Sequence, residues 1–62
     1  MKKTAYKIIL RNATESGVGH LHAAAVGLIR GCVDGNVDDA EVGRRIKALV
    51  EAYEEVKSEL LS

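Results

Sequence analysis

A chain of 62 residues with a single cysteine and no proline makes one small domain, near the size at which a lone core leaves only a few kcal/mol of net stability. Cys32 by itself excludes an intramolecular disulfide, and no Cys/His set has structural-zinc spacing, so self-association is the remaining way to add to the core. Nine basic and nine acidic residues cancel to a formal charge of zero, which disfavours long duplex DNA as a ligand.

The signs are nevertheless segregated. Residues 1–30 hold Lys2, Lys3, Lys7, Arg11 and Arg30 against Glu15 alone, a net of +4, and residues 31–62 hold four basic and eight acidic residues, a net of -4. The two halves should attract when the chain folds back or when copies pack head to tail. The aromatic residues are Tyr6 and Tyr53, and the apolar content is otherwise Ala, Val, Leu and Ile. With no proline to remove a backbone donor, long helices are permitted, and the expected class is all-α. The longest nearly uncharged run, 16–29, is too short and polar for a bilayer. The apolar run Ile8 to Leu10 falls short of a secretory signal, so the expectation is a cytoplasmic protein without a membrane partner.

In chain order, residues 1–12 form a basic segment. Tyr6-Lys7-Ile8-Ile9-Leu10-Arg11 fits a strand, with Tyr6, Ile8 and Leu10 on one face, or a helix, with Tyr6, Ile9, Leu10 and Ala13 as the stripe. A helix is preferred because it satisfies its own backbone, whereas a lone strand needs a partner. Across Asn12 to Gly19, Asn12 with Glu15 or Ser16 alone offers a helix cap. Gly17 and Gly19 each weaken a continuous helix by about 1 kcal/mol, so a break is expected there.

The next helix is placed within 13–34, with its periodic part at Val18, Leu21, Ala25, Leu28 and Cys32 and a face widened by His22, Val26, Ile29 and Val33. Over it lies a row at every fourth residue, Gly19, Ala23, Gly27, Gly31 and Gly35, which would let a neighbouring backbone approach closely. Asp34-Gly35-Asn36-Val37 is the strongest turn signal. Asp38 then fits a helix N-cap, with Glu41 completing a capping box and Val37 and Val42 placed for a hydrophobic staple.

From 38 to 61, Val42, Ile46, Leu49, Tyr53, Val56 and Leu60 recur at alternating four- and three-residue spacing, a heptad seam. Val50 and Ala52 widen it, while Glu51, Glu54, Glu55, Lys57 and Ser58 should face away. Two long helices and a short reversal describe an antiparallel hairpin preceded by a short N-terminal helix. Such a hairpin cannot cover both its apolar faces, so a dimeric four-helix bundle or a larger oligomer is expected. The interface would be built from the six seam residues together with Gly27 and Gly31.

Chemistry-bearing residues are sparse. His20 and His22 sit two apart on a helix and point roughly 200° away from each other, so one chain does not grip a metal with them. Cys32 falls on the apolar seam, about 15 Å along the helix from His22, which argues against a Cys/His nucleophile pair. Neither catalysis, nor a metal, nor a cofactor is expected. The better-supported chemistry is anion binding. Lys3, Lys7 and Arg11 share one helical stripe, Tyr6 supplies a stacking face, and Arg44 and Arg45 form a second basic cluster. A nucleotide or short structured RNA held at an oligomer interface is therefore the alternative to the primary reading of a homo-oligomeric protein-interaction or regulatory module whose partners are its own copies and another protein.

In length and hairpin layout the chain resembles the small RNA-binding four-helix dimers of plasmid copy control, without sharing a motif with them. Leu28-Ile29 followed by Cys32 and Asp34, then the reversal and Glu51-Ala52, resembles the helical hairpin sponges with which phages sequester cyclic nucleotides. Neither resemblance assigns a family.

Overall fold

The computed structural model describes residues 2–34 and 37–61. They form three helices, α1 Lys3–Thr14, α2 Val18–Val33 and α3 Asp39–Leu61, and no strand occurs among the described residues. The N-terminal segment is thus helical. Gly35 and Asn36 of the expected turn lie outside the described residues.

Helix α1 starts without a side-chain cap, its first free amides being taken by the carbonyl of Lys2, which accepts from Ala5 at 3.0 Å and Tyr6 at 3.2 Å. It ends by tightening. Glu15, Ser16 and Gly17 donate to Asn12, Ala13 and Thr14 at 3.3, 3.2 and 3.0 Å, the three-residue spacing typical of a closing turn. The Thr14 hydroxyl donates to the carbonyl of Arg11 at 2.6 Å. Gly17 then adopts φ 118° and ψ 160°, a conformation essentially confined to glycine. For this reason α2 begins at Val18 and not at Ala13, and neither Asn12 nor Ser16 caps it. Asp38 does cap α3, its Oδ1 accepting from the Glu41 amide at 2.8 Å. The Glu41 carboxylate turns instead to Arg44 and Arg45, so the capping box is half formed.

Cross-links between the helices fix their directions. Lys3 meets Glu55 and Arg11 meets Glu59, so α1 and α3 run parallel. Val18 and Leu21 share a hollow with Lys57, Leu60 and Leu61, whereas Val26 and Ile29 share one with Leu49 and Val50, so α2 runs antiparallel to both. The expected hairpin of α2 and α3 is present, and α1 lies along the groove on one side of it, more extensively against α3 than against α2. Overall dimensions of 36 × 17 × 13 Å match one long helix, α3, with two shorter ones beside it.

The core consists of Tyr6 and Leu10 from α1, Leu21, Ala25 and Cys32 from α2, and Leu49, Ala52 and Val56 from α3. All three helices contribute, so the apolar seam of α3 is covered largely from within the chain. Every buried side-chain nitrogen or oxygen among the described residues has a hydrogen-bond partner.

Candidate association surface

The basic stripe of α1 lies against the acidic stripe of α3. Lys3 Nζ is 2.8 Å from Glu55 Oε2, and Lys7 Nζ donates to Glu55 Oε1 at 2.9 Å while lying 3.5 Å from Glu59. Arg11 holds Glu59 in a two-point fork, Nε at 3.0 Å and Nη2 at 2.7 Å. Hydrogen bonds from Lys3 and Lys7 pull the Glu55 carboxyl down to about 2, and the fork from Arg11 lowers that of Glu59. In return Glu55 raises the Lys3 ammonium and Glu59 the Arg11 guanidinium. The charges singled out for an anionic ligand therefore already have carboxylates of their own.

The other predicted anion-site residues are arranged likewise. Arg44 and Arg45 both converge on Glu41, at 2.6 and 3.1 Å, and lower its carboxyl. Tyr6 presents no stacking face, being 2 % exposed. Its hydroxyl lies 3.2 Å from Cys32 Sγ, and burial followed by that contact pushes the phenol up to about 12. A shallow hollow of about 270 Å3 is lined by Tyr6, Leu28, Gly31, Cys32 and Arg45. Arg45 thus shares a concavity with Tyr6.

The predicted interface residues divide. Leu49 and Val56 are fully buried inside the chain, and Val42, Ile46 and Tyr53 are half-buried, whereas Leu60 is exposed. Of the seam expected to face another copy, Leu49 and Val56 lie in the chain's own core, to which α1 supplies Tyr6 and Leu10. Gly27 and Gly31 are exposed, and a Cβ built on either meets nothing within 4 Å. Among the described residues nothing packs on the row at Gly19, Gly27 or Gly31.

What remains uncovered is the side of the hairpin away from α1. His22, Ala25, Val26 and Ile29 of α2 face Leu49, Val50 and Tyr53 of α3 across an apolar hollow of about 210 Å3. A second hollow, bounded by Val18, Leu21, His22, Tyr53, Lys57, Leu60 and Leu61, continues it towards the C-terminal end. At their shared wall Tyr53 Oη and His22 Nδ1 are 2.8 Å apart, with ring centroids 5.8 Å apart and planes inclined at 45°. Val26 is 57 % and Val50 47 % exposed. These valines appear in the sequence as residues that broaden the two stripes, and that broadening is the signal for this face.

Among the described residues no group of three His, Cys, Asp or Glu gathers as a metal site, and no helix is long and apolar enough to cross a membrane. Comparison with protein-family models, with characterised proteins and with solved structures gives no match.

Proposed function

We propose that this chain is a non-enzymatic helical module that acts by association, its copies joining through the uncovered α2/α3 face and the assembly serving as a protein-interaction or regulatory unit. The observation that carries this reading is the pair of connected apolar hollows along that face. A 62-residue chain gains little net stability from one core, and leaving such a surface in water forgoes about 25 cal/mol for each Å2 of it. A non-enzymatic role agrees with the place of Cys32, which is buried in the helical core, where a thiol is structural and inert.

The competing reading, a nucleotide or structured RNA at the N-terminal basic segment, requires the ligand to displace Glu55 and Glu59 from Lys3, Lys7 and Arg11. Sedimentation equilibrium of the full chain at micromolar concentration tests the association reading. A dimer or larger species is expected, and a folded monomer overturns it. Nucleotide binding that is lost when Lys3, Lys7 and Arg11 are changed to alanine would favour the competing reading.

A further inference from the structure

We propose that the α2/α3 face receives a second copy of this chain, related by a two-fold axis that runs across the helices between Val26 and Val50. In this arrangement α2 lies antiparallel on α2 of the other copy and α3 antiparallel on α3. The proposal rests on the association reading above and adds its occupant and geometry.

Area is the first argument. The exposed side chains Val18, Val26, Ile29, Val33, Val50 and Leu61 leave roughly 500 Å2 of apolar surface, at the upper end of what a monomer carries. With the edges of His22, Tyr53 and Lys57 added, the face approaches the roughly 800 Å2 per partner of a standard interface. Its α2 wall is suited to burial, because Arg30 is the one Lys, Arg, Asp or Glu between Val18 and Val33.

The second argument is self-complementarity. Along α2 the exposed stripe reads Val18, His22, Val26, Ile29, Val33. Reversed end for end about a point between Ala25 and Val26, it places Val18 opposite Val33 and His22 opposite Ile29 of the other copy. Val26 and Val50 line the same hollow, so the same axis passes Val50 on α3.

Charge complementarity is the third. Lys47 precedes Val50 by one helical turn and Glu54 follows it by one. Both are exposed, and neither takes part in an ion pair within the described residues. Antiparallel packing about Val50 sets Lys47 of each copy beside Glu54 of the other, an isologous pairing that a two-fold generates twice. It also opposes the helix dipoles of the paired α2 helices.

Cysteine cross-linking in the full chain tests the geometry, in a Cys32→Ser background that keeps a hydroxyl for Tyr6 to bond. Val26→Cys, at the axis, should form a disulfide dimer under mild oxidation. Val18→Cys alone and Val33→Cys alone should not, because like sulfurs stand about 22 Å apart in the antiparallel register, whereas a mixture of these two variants should cross-link. Independently of the cysteines, Lys47→Glu should weaken dimerisation about tenfold by turning two pairs into like-charge contacts, and adding Glu54→Lys should restore it. A dimer in which Val18→Cys links to itself, or in which the predicted links are absent, or in which charge reversal changes nothing, overturns this proposal and leaves the association reading standing. A wild-type chain that sediments as a monomer overturns both.

Discussion

Replacing Leu10 with alanine tests whether α1 is part of the folded unit or a helix laid loosely on a hairpin. Leu10 has no exposed surface and belongs to a core drawn from all three helices. Leucine-to-alanine changes at such sites remove the transfer free energy of the lost carbons and leave a cavity, together costing about 3 kcal/mol. At the usual 0.05 to 0.15 kcal/mol per residue, a chain of 62 residues has about 3 to 9 kcal/mol in total, so the change removes a third or more of it. The melting temperature should fall by about 12 to 25 °C. The assays are urea denaturation for the free energy and thermal denaturation for the melting temperature, both followed by far-ultraviolet circular dichroism at one fixed protein concentration, since association stabilises the folded chain by mass action. Ile8→Ala, at a side chain 54 % exposed, is the control and should stay within about 0.5 kcal/mol of wild type. If Leu10→Ala matched that control, α1 would not be packed in the core and the three-helix account would fail.

Acid should destabilise the fold through the α1–α3 ion pairs. Glu55 has its carboxyl lowered from 4.5 to about 2, and Glu59 is shifted the same way, so their contribution is present above the ordinary carboxylate range and is lost as pH falls from 4.5 towards 2. Melting temperature should therefore drop between pH 5 and pH 2, by less in molar salt; a flat profile would mean the pairs contribute nothing. At the other extreme Tyr6 is raised from 10.0 to about 12, so its contribution holds below pH 10 and disappears as pH climbs towards 12. Phenolate absorbance should show one tyrosine ionising with the unfolding transition. Cys32→Val, which leaves the buried Tyr6 hydroxyl without its partner, should cost about 1 to 3 kcal/mol, and Cys32→Ser should cost less. Equal losses in the two variants would remove the hydrogen bond from the account. Gly27→Ala, with open space around its added Cβ, should stabilise α2 by about 0.5 to 1 kcal/mol. Destabilisation there, read in the same urea titration, would place a neighbour on the glycine row.

The helices and their class were legible because their signals are local. The absence of proline, the three-four spacing of α2 and α3 and the Asp38 cap all act within one turn of chain. Segregation of charge was legible too, including the attraction expected when the basic half meets the acidic half. What the sequence did not disclose is which surface each stripe meets. Val42, Ile46, Leu49, Tyr53, Val56 and Leu60 look the same whether another copy or α1 covers them, and periodicity carries no information about the identity of the opposing helix. The direction of α1 had the same difficulty, since it depends on whether Lys3, Lys7 and Arg11 lie beside the carboxylates of α3. Reading those residues as an anion site treated α1 in isolation, while Glu55 and Glu59 sit at the spacing that receives them. The glycine row pointed to a close helix crossing, but a four-residue repeat of small side chains is equally compatible with an open face.

The placement of α1 also decides what kind of recognition the rest of the surface can support. With its basic residues matched to Glu55 and Glu59 and Arg44 and Arg45 matched to Glu41, two major clusters of charge are neutralised at short range. The field that would steer a polyanion is correspondingly reduced, because opposite charges a few ångströms apart cancel beyond a Debye length of about 8 Å. The uncovered α2/α3 face is affected in the opposite sense. Burial in an interface is opposed chiefly by the desolvation of charge, and its α2 wall carries Arg30 alone. The segregation of sign that first suggests an electrostatic function is thus taken up in holding the fold together. What it leaves uncovered is the apolar α2/α3 face, the surface to which the proposed two-fold arrangement assigns a second copy.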